Sequence, residues 1–213
     1  MSYDVICFDC DSTLSKIEGI DELARRYGLF AQVAALTDAA MNGELTLDEV
    51  YSKRLDMIRP DQAAIDWLAK LYIDEMVTGV AETVSTLLAQ QKQVHIISGG
   101  LRQAILPLAA LLGIPEQQVH AVDVLLDANG DYVDFARQSP LAVNGGKARV
   151  CRQLGDGNAR LAMVGDGKTD LEAKDAGAFM IGFGGVVSRP LVQAQADVFV
   201  GEPDLTAVLG YLL

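Results

Sequence analysis

Short apolar runs alternate with amphipathic segments along most of the chain. The apolar runs have the length of strands, and they lie at Tyr3–Phe8, Gln93–Ile97, Val119–Leu126, Arg160–Val164, Phe179–Phe183 and Asp197–Val200. Segments with helical periodicity separate most of these runs or follow the last one: Val80–Gln91, Arg102–Leu112, Lys147–Leu154, Leu171–Ala176, Leu191–Gln195 and Leu205–Leu212. This alternation predicts an α/β fold, a doubly wound parallel sheet with helices on both of its faces.

One long stretch, residues 14–76, breaks the alternation because it contains no convincing strand. Its periodicity predicts successive amphipathic helices at Ile20–Tyr27, Phe30–Met41, Leu47–Met57 and Asp61–Ile73. We therefore expect a small helical cap domain at 14–76, inserted after the first strand of an α/β catalytic core formed by 1–13 and 77–213. Farther along, Asn129-Gly130 predicts a hairpin turn between Val122–Leu126 and Asp131–Phe135.

Composition and charge narrow the possible partners. The 213 residues are 50% hydrophobic, and 17 basic against 29 acidic side chains leave a formal charge of −12. This balance argues against nucleic acid and against an anionic membrane surface, since both require basic contacts. No apolar run is long enough to span a bilayer, the N-terminal segment is acidic, and three cysteines cannot form a disulfide framework. We expect a cytoplasmic monomer or homodimer that acts on a small molecule.

Polar residues gather where the predicted parallel strands end. Ligands of open α/β sheets bind beyond the carboxyl ends of the strands, so these positions are candidates for one site. They comprise Asp9 and Asp11 after the first strand, Ser98, Gly99 and Gly100 after the second, Asp166 and Asp170 after the fourth, and Lys147 at the start of a helix.

This set of residues fits phosphoryl transfer. Clustered carboxylates require a cation, and hard oxygen ligands favour Mg²⁺. Glycine N–H groups and a lysine favour a phosphate. A carboxylate can attack phosphorus, so Asp9 is the candidate nucleophile, and Asp11, two residues on, the candidate general acid and base. Taken singly, Ser98-Gly99-Gly100 is typical of a turn, Lys147 of a solvated helix, and Asp9 of a helix cap; only the joint arrangement favours a site.

The motifs resemble those of the haloacid dehalogenase superfamily of aspartate-nucleophile phosphatases. Its four motifs correspond here to Asp9-Cys10-Asp11-Ser12-Thr13, to Ser98 of Ile97-Ser98-Gly99-Gly100, to Lys147, and to Asp166 and Asp170 of GDGKTDLEA. The resemblance implies a Rossmann-like core. It also implies a metal shell of Asp9, the backbone carbonyl of Asp11 and Asp166, with Asp170 holding Lys147 or a metal-bound water and Ser98 donating to a phosphoryl oxygen.

Within the superfamily, the chain resembles the phosphoserine phosphatase family from Tyr3 to Leu213. The segment DSTLSKIEGIDELA matches that family, in which the glutamate, here Glu18, receives the ammonium group of the substrate. The segment AMNGELTLDEVYSKRL places Met41 and Arg54 at the family's substrate-binding positions, with the arginine on the substrate carboxylate. The resemblance implies Mg²⁺-dependent hydrolysis of O-phospho-L-serine to L-serine and phosphate through an aspartyl-phosphate, as in serine biosynthesis.

Three positions depart from the family pattern, and other functions stay open. Leu47 and Leu101 stand where the family usually has phenylalanine, and Val186 where it often has asparagine. These changes affect the pocket walls and leave the phosphoryl chemistry intact. The alternatives are a phosphotransferase that passes the phosphoryl group to another alcohol such as homoserine, a phosphatase for another small metabolite, and a non-catalytic phospho-amino-acid binding protein. Alone, Glu18 is also typical of a helix N-terminus and Arg54 of a helix surface.

Overall fold

A computed structural model describes residues 3–41, 46–155 and 159–213. Within these ranges the chain forms eight strands: β1 (Val5–Phe8), β2 (Gln93–Leu101), β3 (Val119–Val122), β4 (Val124–Leu126), β5 (Tyr132–Phe135), β6 (Leu161–Gly165), β7 (Phe179–Phe183) and β8 (Val198–Val200). Six of them make one parallel sheet in the order β3-β2-β1-β6-β7-β8, and β4 and β5 form a separate antiparallel hairpin. The predicted α/β fold with a parallel sheet and the Asn129-Gly130 hairpin are confirmed.

The helices of the described ranges lie close to the predicted segments. The α-helices are α1 (Gly19–Arg26), α2 (Phe30–Met41), α3 (Leu47–Ile58), α4 (Gln62–Asp74), α5 (Val80–Ala89), α6 (Arg102–Leu111), α7 (Gly146–Leu154), α8 (Lys168–Leu171), α9 (Pro190–Gln195) and α10 (Leu209–Leu212). Short 3₁₀ turns occupy Glu116–Gln118, Pro140–Ala142, Glu172–Ala176 and Leu205–Val208. No helix in these ranges combines the length and apolarity that crossing a membrane requires.

Strand β1 lies at the centre of the sheet and fixes the position of the site. All four of its residues are buried, and it pairs in parallel with β2 on one side and β6 on the other. The strand order reverses between β1 and β6, since the chain winds outward from this pair in both directions. Such a reversal opens a crevice at the carboxyl ends of the two strands, where ligands bind.

Two strand boundaries differ from the prediction. The run Val119–Leu126 is not one strand, because the side-chain amide of Gln103 bonds both to the N–H of Val124 (3.0 Å) and to its carbonyl (2.8 Å). The chain therefore leaves the main sheet after Val122 and begins the hairpin. Strand β2 runs on to Leu101, past a register irregularity that contains the glycines.

Helices α1 to α4 lie in sequence between β1 and α5, where the cap was expected. Helix α3 begins with a capping box between Thr46 and Glu49. The following connection contacts the hairpin, since Arg59 donates to the Tyr132 carbonyl (3.0 Å) and the N–H of Gln62 to the Gly130 carbonyl (2.8 Å). The division into a cap at 14–76 and a core stays a prediction.

Candidate active site

A cavity of about 220 Å³ lies at the carboxyl ends of the central strands. Eight of the predicted site residues line it: Asp9, Asp11, Glu18, Arg54, Ser98, Gly99, Lys147 and Asp166. Two others lie behind the wall: Asp170, which is fully buried, and Gly100. The side chains of Met41 and Leu47 lie outside the described part of the structure. The cavity is thus surrounded by residues at or just beyond the ends of β1, β2 and β6 and by residues of helices α3 and α7.

Asp9 stands directly beyond β1 and is held by two donors. Its Oδ1 accepts from the N–H of Cys10 at 2.8 Å and lies 2.9 Å from Nζ of Lys147. Both side chains are almost entirely buried. An ammonium group against a buried carboxylate offsets the cost of removing that charge from water, which explains how Asp9 is accommodated.

Lys147 is shared between two carboxylates. Its Nζ lies 2.5 Å from Oδ1 of Asp170, whose other oxygen accepts from the N–H of Gly167 at 2.9 Å. Burial opposes the charged form of Lys147, but Asp170 and Asp9 more than offset this effect and raise the pKa of Lys147 above its usual range. The lysine is therefore a permanent cation. Gly165 makes room for this pair, because a Cβ there would lie 2.2 Å from the Asp170 carboxyl carbon.

Three buried carboxylates form a potential cation site. One oxygen from each of Asp9, Asp166 and Asp170 lies within 4.8 Å of the other two. Burial, and then the neighbouring charge of Asp9, raises the pKa of Asp166. Three carboxylates beside two cations, Lys147 and Arg189, leave an excess of negative charge, which an oxygen-ligated metal ion would neutralise. The donor set therefore fits a hard cation, whereas the side chain of Asp11 is directed elsewhere.

Asp11 bonds to a helix of the 14–76 segment. Its Oδ1 accepts a hydrogen bond from the hydroxyl of Tyr72 on α4 at 2.6 Å. Burial, followed by the charges of Glu18 and Asp9, raises the pKa of Asp11 well above its usual value. The bonds from Tyr72 and from the Gly19 backbone oppose that increase. A carboxyl group with a raised pKa is suited to carry a proton at neutral pH.

The end of β2 forms a second wall. The N–H of Gly100 donates to Oγ of Ser98 at 3.0 Å, and the Tyr51 hydroxyl donates to the Gly99 carbonyl at 2.9 Å. Ser98 is buried, and the part of the chain that the structure describes supplies no acceptor for its hydroxyl proton. Because Ser98 lines the cavity, its hydroxyl is available to donate to a ligand there.

Glu18 lies at the start of α1, on the opposite side of the turn after β1. Its Oε1 accepts from the hydroxyl of Ser12 at 2.8 Å and lies 3.4 Å from Nη2 of Arg189. Ser12 adopts a φ of 53°, in the left-handed region that non-glycine residues seldom occupy. Burial raises the pKa of Glu18 to about 7; the charges of Asp166 and Asp9 act in the same direction, against Ser12 and Arg189. A cationic group bound beside Glu18 would therefore stabilise the ionised form of its carboxyl group.

Arg54 enters the cavity from α3 without an ion-pair partner among the described residues. Its Nε is buried and makes no hydrogen bond in the described part of the structure. The guanidinium carbon lies 6.0 Å from the centre of the Tyr51 ring. A buried donor without an acceptor is costly, so a ligand that brings an anionic group to this wall would be stabilised.

Sequence reasoning missed two residues that contact the predicted ones. Arg189 follows β7 and precedes α9, and its Nε lies 2.9 Å from Oδ2 of Asp166. Its position after a parallel strand was the available signal. Tyr72 carried no such signal, since it lies in an amphipathic helix among apolar residues and resembles a core tyrosine.

Comparisons with known proteins agree with this geometry. The family model of the haloacid dehalogenase-like hydrolases matches residues 3–176. The chain is 40% identical over 201 residues to a phosphoserine phosphatase of Drosophila melanogaster, covering 93% of this chain and 74% of that protein. It is 38% identical over 213 residues to the phosphoserine phosphatase of Mus musculus, covering 99% and 94%.

A solved structure shares the fold. The phosphoserine phosphohydrolase-like protein of Francisella tularensis superposes with a TM-score of 0.84 at 24% identity, with both chains fully covered. At that identity the likeness concerns the fold alone. The match of the family model over most of the chain and the two relatives define its family. The chain belongs to the haloacid dehalogenase-like hydrolases, and its relatives within them are phosphoserine phosphatases.

Proposed function

We propose that this protein is a phosphoserine phosphatase, which hydrolyses O-phospho-L-serine to L-serine and phosphate. One observation carries the assignment: Glu18 and Arg54 line the same cavity as Asp9, Lys147 and Ser98, and Nε of Arg54 makes no hydrogen bond to the described residues. A phosphorylated amino acid has a phosphate, an ammonium and a carboxylate group, and this cavity offers a matching partner for each. The names of the relatives point to the same substrate.

The first chemical step is the transfer of the phosphoryl group to Asp9. A carboxylate oxygen of Asp9 forms a bond to phosphorus, and the bond from phosphorus to the serine oxygen breaks. Asp11 gives its proton to the departing oxygen, which leaves as the serine hydroxyl. Lys147 lies 2.9 Å from Asp9 and stabilises the negative charge that accumulates on the phosphoryl oxygens, while Ser98 donates to one of them.

The second step restores the enzyme. Asp11, now ionised, takes a proton from a water molecule, whose oxygen attacks the phosphorus of the aspartyl-phosphate. The bond between phosphorus and Asp9 breaks, phosphate leaves, and Asp9 is again a carboxylate. The raised pKa of Asp11 suits both steps, because the group must donate a proton in one and accept a proton in the other.

We assign the cation site to Mg²⁺, held by Asp9, Asp166 and the backbone carbonyl of Asp11. When bound, the ion offsets the repulsion between the carboxylates and polarises the phosphoryl group. Asp170 keeps Lys147 in place, since its Oδ1 lies 2.5 Å from the ammonium. Carboxylates gathered within 4.8 Å support a hard oxygen-preferring metal.

Substrate choice depends on the two charged residues remote from phosphorus. A phosphate ester without an amine and a carboxylate would leave Glu18 and Arg54 desolvated and unpaired. Each charge-assisted hydrogen bond contributes about 1.5–3 kcal/mol, and sites built on such polar pairs reject the incomplete substrate by up to about 10⁴-fold. We expect a strong preference for phosphoserine over sugar phosphates.

Phosphate release by the purified protein tests this proposal. O-phospho-L-serine is compared with phosphothreonine, a sugar phosphate and an aryl phosphate, each with Mg²⁺ and with EDTA, and with added homoserine as a competing acceptor. The proposal predicts preference for phosphoserine, loss of activity with EDTA, and free phosphate as the product. Equal rates on all esters would contradict the roles of Glu18 and Arg54, and phosphorylated homoserine would favour a phosphotransferase.

The cytoplasmic location and the monomeric or dimeric state stay predictions.

A further inference from the structure

Tyr72 forms a hydrogen bond to Asp11 although 61 positions separate them in the sequence. The hydroxyl donates to Oδ1 of Asp11 over 2.6 Å, and the tyrosine side chain is fully buried. Tyr72 lies in the third turn of α4, a helix that otherwise contributes apolar side chains to the core. Its hydroxyl is therefore the point at which this helix reaches the catalytic carboxylate.

Two glycines leave the space that the Tyr72 hydroxyl occupies. A Cβ at Gly19 would lie 2.1 Å from the hydroxyl oxygen, and one at Gly100 would lie 3.1 Å from it. Any side chain at Gly19 would force the phenol away from Asp11. The Tyr72 hydroxyl of α4 is thus enclosed by the start of α1 and the end of β2. This enclosure holds the hydroxyl where it donates to Asp11.

This bond restricts the orientation of the Asp11 carboxyl group. One oxygen is engaged by Tyr72 behind the wall, while the residue also lines the cavity. Rotation of the carboxyl group would break a short buried hydrogen bond and leave the Tyr72 hydroxyl without an acceptor, which is unfavourable. A group that transfers a proton must be held within a few tenths of an ångström of its productive position.

We propose that Tyr72 is a positioning residue, which holds the Asp11 carboxyl group so that its other oxygen faces the leaving-group oxygen. The proposal rests on the proposed function for the role of Asp11 in proton transfer. It does not depend on which alcohol leaves, since the geometry involves only Tyr72, Asp11 and the glycines around the hydroxyl. Tyr72 contacts no reacting atom, so its effect is exerted through Asp11.

The substitution Tyr72→Phe removes the hydroxyl and keeps the packing of the ring. An alkyl phosphate needs a proton on its leaving oxygen, whereas p-nitrophenolate leaves without one. We therefore expect kcat/KM for phosphoserine and for glycerol 2-phosphate to fall about 10–100-fold, within the range of general acid catalysis. For p-nitrophenyl phosphate, kcat/KM, which reports the steps up to departure of the leaving group, should change less than about threefold.

Tyr132→Phe is the matched control, because it also removes a buried tyrosine hydroxyl. This hydroxyl has no hydrogen-bond partner in the described part of the structure, and Tyr132 does not line the cavity. It should leave all three substrates at wild-type rates. An equal decrease on alkyl and aryl esters in Tyr72→Phe, or no decrease on either, would overturn the proposal. If the wild type prefers glycerol 2-phosphate to phosphoserine, the proposed function fails while the alkyl-to-aryl comparison still tests Tyr72. A wild type inactive on all three esters would overturn both.

Discussion

Nε of Arg189 lies 2.9 Å from Oδ2 of Asp166, and Nη2 of the same guanidinium lies 3.4 Å from Oε1 of Glu18. One side chain thus joins a carboxylate of the cation site to the carboxylate proposed to receive the substrate ammonium. It also brings a third positive charge, besides Lys147 and Arg54, to a strongly acidic cavity. The Arg189 side chain is about 41% exposed, so solvent screens part of this interaction.

Replacing Arg189 by glutamine should strengthen metal binding and weaken catalysis. Without the guanidinium, Asp166 loses the cation that bonds to it directly and competes with a metal ion. The dissociation constant for Mg²⁺ should therefore fall about 3–10-fold, a modest change because the arginine is partly exposed. Calorimetric titration of the protein with Mg²⁺ alone measures this change without any reaction.

The same variant should lose activity on phosphoserine, because Glu18 keeps its hydrogen bond from Ser12 but loses the guanidinium that also positions it. Lys168→Gln, which removes a nearby charge outside the cavity lining, serves as the control and should leave the Mg²⁺ affinity nearly unchanged. Weaker Mg²⁺ binding by the Arg189 variant would show that the arginine supports the metal site and does not oppose it.

Replacing Arg54 by alanine should affect phosphoserine far more than an aryl phosphate. The buried Nε has no partner in the described structure, so the substrate carboxylate is the acceptor that we assign to it. Loss of this charge-assisted bond should reduce kcat/KM for phosphoserine about 10–150-fold, mainly through KM. Steady-state kinetics on both substrates measure the difference.

Lys53→Ala is the comparison variant for Arg54, since it removes a positive charge from the exposed face of the same helix. It should change neither substrate by more than about twofold, in line with the small effect of exposed charges. Equal losses on phosphoserine and the aryl phosphate in Arg54→Ala would remove Arg54 from substrate recognition.

A buried histidine, His95, and its half-buried neighbour His120 should make the stability of the protein pH-dependent. Nδ1 of His95 on β2 lies 3.1 Å from Nε2 of His120 on β3, with the rings stacked. Burial, and then the proximity of His120, lowers the pKa of His95 from 6.5 to about 4. The unfolded chain binds a proton near pH 6.5 that the folded state resists, so stability is complete above pH 6.5 and is lost as the pH falls toward 4.

The difference of about 2.5 pH units corresponds to a loss of roughly 3 kcal/mol for His95. Urea unfolding of the wild type and of His95→Gln at pH 7 and at pH 5 captures most of this loss, which is complete only below pH 4. The variant should be less stable at pH 7, because it lacks the stacked pair, but its free energy of unfolding should fall less on acidification. Identical losses in both proteins would assign the acid sensitivity to other groups.

The elements that could be predicted from the sequence were those with a clear pattern of apolar and polar residues within one segment. The residues after β1, β2 and β6, together with Lys147, were assigned to one edge of the sheet, and six of those eight residues line one cavity. This worked because the carboxyl ends of parallel strands share one edge, whatever the details of packing. The family resemblance also pointed to Glu18 and Arg54, and both line that cavity.

Features that depend on side chains meeting across the fold could not be predicted. Tyr72 reaches Asp11 only because α4 packs over the sheet and Gly19 leaves room. His95 and His120 have no telling spacing in the sequence, yet adjacent strands bring them together. The strand predicted at Val119–Leu126 is interrupted because the side chain of Gln103, from helix α6, forms hydrogen bonds to the N–H and carbonyl groups of Val124.

The most direct test of the account is a burst experiment on Asp9 and Asp11. With p-nitrophenyl phosphate, Asp11→Asn retains the nucleophile but lacks the base that activates water, so it should release about one equivalent of nitrophenol and then stop. Asp9→Asn should release none, alone or combined with Asp11→Asn. A burst or continued turnover in Asp9→Asn would contradict the central claim, that Asp9 accepts the phosphoryl group.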